Sequence, residues 1–320
     1  MPRLRAIAFA FLLADALIAF VACGSFEDSA EEPAAGDGGG TEAGDTGSNN
    51  PGDDANASDA EPDRRDGGGG GGALLYRKAV LDDEPVAYWR MGDTKSNGSV
   101  IRDETSYMND LTLSNGGPCV GDAGFQTGAP GVFDNDPSVF FSGQCGRGVP
   151  GTSPDLAFNG TAEFTLECWA RRELPDGGGN GQSFQHLISY VTGSSTGPDG
   201  STQNGYILYL NTLGSGSTAA SYGALDGGAL ESTGPLLPAG EWGHYVMAVD
   251  AASVTVYVNG VERPSVPRPG ELVARPSVLF TLAKASNDER FFRGYLDEVA
   301  VYPKRLTQQR IKAHYAIARP

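Results

Sequence analysis

One short hairpin pattern near residue 255 restricts the folds open to this chain. The segment reads SVTVYVNGVE from residue 253, and Val254, Val256 and Val258 alternate with other residues. Alternate side chains of a strand point to opposite faces, so the pattern predicts a half-buried β-strand. The Asn-Gly pair at 259–260 favours a tight turn, because both residues accept positive φ. The segment therefore predicts an antiparallel hairpin.

Other segments have strand patterns, and almost no helical periodicity lies between them. FTLECWARR places Phe164, Leu166 and Cys168 on one face of a strand, with Glu167 and Trp169 on the other. GYILYLNTLG is rich in β-branched and aromatic residues, which strands favour. Short strands joined by loops of Gly, Pro and Asp predict an all-β fold of two antiparallel sheets packed as a sandwich.

A single helix is predicted, at the C-terminal end of the chain. In RLTQQRIKAHYAIARP, Thr307 is placed to cap the first helical turn. Leu306 and Ile311 are placed to form a hydrophobic staple across that turn.

The N-terminal part differs in composition from the rest of the 320-residue chain. Residues 1–22 combine Arg3 and Arg5 with an apolar run, which predicts a secretory signal peptide. Residues 23–74 are mostly Gly, Ala, Ser, Asp and Glu and predict a disordered acidic tether. Residues 75–320 are long enough for one large domain. The formal net charge of −17 argues against a nucleic-acid partner.

Small residues surround Cys23 in FVACGS, and this arrangement resembles a bacterial lipobox. The resemblance implies that Cys23 carries a lipid and that the protein is a membrane-anchored lipoprotein of the cell envelope. The alternative is ordinary cleavage nearby, which leaves a freely secreted protein. Either way the protein is expected to be exported.

Three cysteines follow the tether. Cys119 and Cys145 lie in Gly-rich segments, and an oxidising compartment favours a disulfide bond between them. The alternative is two free thiols. Cys168 lies on the apolar side of its strand and is interpreted as a small buried hydrophobic residue.

Five motifs occur in a characteristic order. They are PVAYWRMGD, VIRDETSYMNDLTL, EFTLECWARR, EWGHYVMAVDAASVTVYVNGVE and FRGYLDEVAVYPKRLTQQRIKAHY, and they extend from about Pro85 to Tyr315. In this order they resemble a laminin G-like domain of the concanavalin A-like lectin/glucanase superfamily. The resemblance implies a jelly-roll sandwich, a fold that hosts lectins, enzymes and adhesive modules alike.

A carboxylate within the last motif raises the question of a metal. Strand alternation places Asp297 on the face of Val299 and Val301, where an unpaired charge is costly. The resemblance implies a structural calcium ion, with Asp297 as the first candidate ligand and Asp103 as the second. The alternative is that Asp297 accepts hydrogen bonds from backbone amides at a strand bend.

Aromatic residues point to a binding function. Trp169 and Glu167 share a strand face and are candidate ligand contacts, whereas Trp89 and Trp242 are predicted to lie in the core. The Glu-x-Asp-x-x-Glu pattern of related retaining glycoside hydrolases does not occur after Leu74. The chain is therefore interpreted as a surface-tethered, non-catalytic module that binds glycan or protein. The alternatives are a glycoside hydrolase with non-standard catalytic residues and a purely structural adhesion protein.

Overall fold

Strands account for most of the regular secondary structure in the described part of the computed structural model. The structure describes residues 71–92, 98–116, 124–151, 153–175, 183–192, 204–213, 216–224, 228–268, 270–272, 278–285 and 290–318. The predicted signal peptide, Cys23, the predicted tether up to residue 70 and Cys119 lie outside these residues.

The elements follow one another in an order that begins and ends with a helix. They are α1 (Gly71–Asp82), β1 (Ala87–Trp89), β2 (Val100–Ile101), β3 (Leu111–Asn115), β4 (Phe125–Pro130), β5 (Pro137–Ser142), β6 (Gly146–Pro150), β7 (Phe164–Arg172), β8 (Phe184–Thr192), β9 (Asn204–Asn211), β10 (Ser217–Ala224), β11 (Gly228–Gly234), β12 (Trp242–Val249), β13 (Ser253–Val258), β14 (Val261–Glu262), β15 (Val266–Pro267), β16 (Thr281–Leu282), β17 (Arg293–Tyr302) and α2 (Gln308–Ile317). A short 3₁₀ turn, Pro154–Leu156, precedes β7.

These strands form two antiparallel sheets. Sheet A has the order β14-β13-β12-β7-β17-β5-β4, with β1 also paired to β17 and β15 to β13. Sheet B has the order β11-β10-β9-β8-β16-β6-β3-β2. The predicted all-β jelly-roll sandwich with a C-terminal helix is confirmed.

The main hydrophobic core lies between the sheets. Phe164, Leu166 and Cys168 of β7 belong to this core, while Glu167 and Trp169 point to the opposite face of sheet A. Cys168 is a buried free thiol. We call the face of sheet A that points away from sheet B its outer face.

The β13–β14 hairpin turns as its sequence predicts. Asn259 and Gly260 have φ values of 53° and 72°, both in the left-handed region that an Asn-Gly pair accepts at low cost. The α2 helix also begins as predicted. Thr307 is its N-cap, and its side chain accepts a hydrogen bond from the Arg310 amide.

Helix α1 is an addition to the predicted elements. It begins at Gly71, inside the segment predicted to be a tether, and a run of glycines hides its start in the sequence. Tyr76 and Val80 are buried in the second hydrophobic cluster, which joins both helices to the outer face of sheet A. Among the helices of the described residues, none is long and apolar enough to cross a membrane.

A β-bulge in β17 corrects the predicted position of Asp297. The register with β7 shifts between Asp297 and Ala300, so two successive residues, Asp297 and Glu298, interrupt the alternation. Val299 lies in the core between the sheets, whereas Asp297 pairs with Trp169, whose side chain is on the outer face. The acid therefore does not share the core face of the valines.

The disulfide bond stays a prediction, because Cys119 lies outside the described residues. The Gly116 amide donates to the Cys145 carbonyl, which places a residue close in sequence to Cys119 beside its predicted partner. We expect non-reducing peptide mapping to show the Cys119–Cys145 bond and a free Cys168. A bond that closes about 26 residues stabilises by about 3–4 kcal/mol in the chain-entropy model. A bond that includes Cys168 would contradict the prediction.

Candidate functional site

A row of four side chains crosses the outer face of sheet A. Trp242 pairs with Arg171, Arg171 pairs with Tyr295, and Tyr295 pairs with Phe140. These residues belong to β12, β7, β17 and β5, which are consecutive in the sheet. Directly paired residues of antiparallel strands point to the same face, so the four side chains form one line across the strands. We call this line the aromatic row.

The rings of the aromatic row contact one another and surround a guanidinium group. The Tyr295 ring centroid lies 5.0 Å from that of Phe140 and 6.3 Å from that of Trp242. The Arg171 guanidinium lies 4.1 Å from the Tyr295 ring centroid and 5.5 Å from that of Trp242. Its Nε also lies 3.2 Å from a carboxylate oxygen of Glu173. Cation–π contacts and an ion pair therefore fix Arg171 between the rings.

All four members of the row are half-buried, so each presents part of its surface to solvent. The next row on the same face lies two residues further along each strand. It consists of His244, Trp169 and Asp297, and all three are fully buried. Trp242, which the sequence predicts to lie in the core, is instead partly exposed. The sequence does not indicate Arg171, Tyr295 and Phe140 as site residues, because only the order of the strands in the sheet brings these residues together.

Partly exposed aromatic rings beside a charged pair are suited to binding a ligand with both apolar and hydroxyl surfaces. Ring faces stack on apolar patches, while the guanidinium donates and the Glu173 carboxylate accepts hydrogen bonds. Trp, Tyr and Arg are also the residues that contribute most often to the strongest contacts of protein interfaces. The row is therefore a candidate binding surface.

A second cluster surrounds the Glu167 carboxylate under the helices. Its Oε1 accepts a hydrogen bond from the Tyr76 hydroxyl at 2.8 Å and lies 2.7 Å from His244 Nε2. Its Oε2 accepts from the Tyr302 hydroxyl at 2.8 Å, and His314 Nδ1 lies 3.1 Å from both oxygens. Glu167 thus connects α1, α2 and two neighbouring strands of sheet A.

The charges of this cluster shift its pKa values in opposite directions. Burial alone would raise the pKa of Glu167, but the His314 charge and hydrogen bonds from both histidines hold it well below its ordinary value. Burial alone would lower the pKa of His314, but the Glu167 charge and a hydrogen bond to Asp83 raise it to about 10. Near neutral pH the cluster is therefore a buried ion pair.

This burial removes Glu167 and Trp169 as surface contacts for a ligand. Both side chains have no solvent exposure. The Trp169 indole donates to the Tyr76 hydroxyl of α1, and its ring lies 5.9 Å from that of Tyr315 of α2. The two residues share a face, as the sequence predicts, but both helices cover that face.

The bulge in β17 places Asp297 in a third cluster, with Glu298, Asp136 and Arg90. Asp297 Oδ2 accepts from the Val132 amide at 2.8 Å, and its Oδ1 accepts from the Glu298 amide at 3.0 Å. Burial and the Asp136 charge raise the pKa of Asp297 well above its usual range. Burial and the Asp297 charge do the same to the pKa of Glu298. This geometry matches the alternative in which Asp297 accepts bonds from backbone amides.

These carboxylates do not fit a calcium site. Calcium needs six to eight oxygen ligands, and both oxygens of Asp297 already accept backbone amides. The Asp103 carboxylate is also hydrogen-bonded to the backbone, because its oxygens accept hydrogen bonds from the amides of Tyr88, Thr105 and Asn109. Within the described ranges, no group of three or more His, Cys, Asp and Glu side chains is placed to hold a metal ion.

One family matches the chain. The family described as the concanavalin A-like lectin/glucanases superfamily matches residues 148–312, which is just over half of the sequence. The match includes β7, β12 and β17, which carry three members of the aromatic row. A comparison with curated protein sequences finds no significant match.

Solved structures with the same fold include three toxin domains. The receptor-binding domain of botulinum neurotoxin mosaic serotype C/D is 11% identical with a TM-score of 0.53, over 74% of this chain and 51% of that one. The binding domain of Paraclostridial mosquitocidal protein 1 is 14% identical with a TM-score of 0.52, over 73% and 52%. The ligand-binding domain of botulinum neurotoxin serotype D, solved with N-acetylneuraminic acid, is 11% identical with a TM-score of 0.52, over 74% and 52%.

These similarities show the fold alone. This chain spans about half the length of each of the three toxin domains.

Proposed function

The chain belongs to the concanavalin A-like lectin/glucanase superfamily, and from this premise we propose that it is a non-catalytic module that binds glycan at the aromatic row. The observation that carries the proposal is the line of partly exposed Trp242, Arg171, Tyr295 and Phe140 across four consecutive strands. Rigid strands fix the positions of all four side chains, so little conformational entropy is lost when a ligand binds.

The chemistry of the row supports a sugar ligand. Sugar rings have apolar faces that stack on aromatic rings, and their hydroxyl groups both donate and accept hydrogen bonds. The row offers three aromatic rings and a guanidinium donor on Arg171, and the neighbouring Glu173, which pairs with Arg171, offers a carboxylate acceptor. The ligand-binding domain of botulinum neurotoxin serotype D, about half of which this chain matches, was solved with N-acetylneuraminic acid, so one protein that contains this fold binds a sugar.

The positions of the carboxylates support a binding role over a catalytic one. A general acid or base must lie within hydrogen-bond reach of the group it protonates or deprotonates. Glu167, Asp297 and Glu298 have strongly shifted pKa values, but all three are fully buried and form their contacts with other residues of the protein. The proposed module therefore holds its ligand without cleaving it.

The proposal includes export and anchoring. The pattern of residues 1–22 supports secretion, and the residues around Cys23 support a lipid anchor at the cell envelope. The acidic segment that follows would separate the binding domain from the membrane.

A glycan-array screen tests the proposed function. We expect the wild-type protein to bind a limited set of glycans and to release them chemically unchanged. The Trp242→Ala/Tyr295→Ala double variant is expected to lose this binding, whereas Tyr107→Ala keeps it, because Tyr107 is an exposed tyrosine outside the row. Equal glycan binding by the double variant would contradict the site, and cleavage of a bound glycan would contradict the non-catalytic role.

A further inference from the structure

A polar cluster lies on the face of sheet B that points away from sheet A. His186 of β8 pairs with Tyr209 of β9, and their ring centroids lie 5.7 Å apart. The strand neighbours of Tyr209 belong to the main core, so Tyr209 itself points away from sheet A. The Tyr209 hydroxyl donates to Glu231 Oε1. The Arg290 guanidinium lies 4.7 Å from the Phe184 ring centroid, and the Arg290 carbonyl accepts a hydrogen bond from the His186 amide. We call these five residues the His186 cluster.

Two nitrogen atoms of the His186 cluster are buried without a hydrogen bond to any described residue. They are His186 Nδ1 and Arg290 Nε. The whole His186 residue is only 2% exposed. A buried polar nitrogen without a partner costs free energy, so two of them in one cluster call for an explanation. A ligand that accepts hydrogen bonds from both would supply one.

The charges of the cluster favour an anionic acceptor. Arg290 stacks on the Phe184 ring, and the described residues give it no ion pair. Burial and the Arg290 charge lower the pKa of His186 to about 3, so the imidazole is neutral near pH 7. A neutral imidazole still donates from one ring nitrogen. The cluster therefore combines a cation that lacks an anionic partner with a neutral donor.

We propose that the His186 cluster is a second binding site, separate from the aromatic row, for a ligand that bears a carboxylate and hydroxyl groups, such as a uronic acid unit of a glycan. The ligand carboxylate pairs with the Arg290 guanidinium and accepts a hydrogen bond from His186 Nδ1.

The other polar groups of this face match that class of ligand. Ser189 pairs with Ile207 on the same face, and its buried hydroxyl has no hydrogen bond within the described part of the chain. This hydroxyl and the Glu231 carboxylate can bind hydroxyl groups of the ligand. Phe184, Glu231 and Arg290 are half-buried and form a rim that solvent reaches. The negative charge of Glu231 favours a singly charged carboxylate over a doubly charged phosphate.

An array of uronate-containing oligosaccharides, printed beside their methyl esters, tests this inference. The ester removes the negative charge and leaves the sugar rings unchanged. We expect the wild-type protein to prefer at least one acid to its ester, and calorimetric titration should give Kd values that differ by about tenfold or more. Arg290→Gln and His186→Phe should lose this preference. Arg77→Gln should keep it and is the matched control, because Arg77 lies on α1 and pairs with Glu104.

Three results would overturn the proposal. The first, which needs no variant, is a wild-type protein that binds no acid more tightly than its methyl ester. The second is a folded Arg290→Gln protein, with the wild-type Tm, that keeps the preference. The third is loss of the preference in the Trp242→Ala/Tyr295→Ala variant, which would place the carboxylate at the aromatic row. If Arg290→Gln does not fold, retention of the preference in a folded His186→Phe protein contradicts the site instead.

Discussion

Replacement of Glu167 by alanine is expected to lower the free energy of unfolding by about 3–5 kcal/mol, because it leaves a buried charge without its partner. His314 loses the carboxylate that raises its pKa to about 10. The hydroxyls of Tyr76 and Tyr302 lose their acceptor inside the protein. Denaturant unfolding measures the loss. Asp82→Ala is the control, because its ion pair with Lys78 is exposed and should contribute no more than about 1 kcal/mol.

The same ion pair predicts how wild-type stability depends on pH. The pKa of Glu167 is lowered by folding, so its contribution is present above its unfolded value near 4.5 and is lost as the pH falls below that. The pKa of His314 is raised by folding, so its contribution is complete below 6.5 and is lost as the pH rises toward about 10. The cluster therefore stabilises most between about pH 4.5 and 6.5.

The Glu167→Ala variant should show a flatter stability profile between pH 6.5 and 10 than wild type, because His314 no longer keeps its raised pKa. A Glu167→Ala protein that is as stable as the Asp82→Ala control and keeps the wild-type dependence of stability on pH would contradict this account. It would show that the Glu167 cluster does not hold the helices to sheet A.

The parts of the fold that depend on local patterns are predictable from the sequence. Alternation in β7 places Phe164 and Leu166 in the core, and Asn259-Gly260 and Thr307 mark a turn and a helix start. The bulge in β17, in contrast, depends on tertiary context. The bulge after Asp297 breaks the alternation because a positive φ at Glu298 turns the strand, and no local signal marks it.

The candidate site was beyond prediction for a related reason. Arg171, Tyr295 and Phe140 lie far apart in sequence, and only the order of strands in sheet A makes them neighbours. In contrast, the sequence predicts Glu167 and Trp169 as ligand contacts, because they lie on the face of their strand opposite the apolar one. Helix α1, which the sequence does not predict, helps to cover that face. The solvent-exposed part of the outer face therefore begins one row further along the strands, at the aromatic row.

Loss of one ring from the aromatic row should weaken glycan binding strongly. Truncation of an aromatic side chain at the centre of a binding surface typically costs about 2 kcal/mol or more, which is roughly a 30-fold loss in affinity. Tyr295 lies at the centre of the row, in contact with Arg171 and both other rings, so Tyr295→Ala should show the largest effect. Phe140, at one end, should show a smaller one.

Calorimetric titration of a glycan from the array into wild type, Tyr295→Ala, Phe140→Ala and the control Tyr107→Ala tests the central claim most directly. An unchanged near-UV spectrum and Tm would first establish that each variant is folded. The account predicts a Kd raised by roughly 30-fold or more in Tyr295→Ala, by less in Phe140→Ala, and unchanged in Tyr107→Ala. Wild-type affinity in a folded Tyr295→Ala protein would contradict binding at the aromatic row.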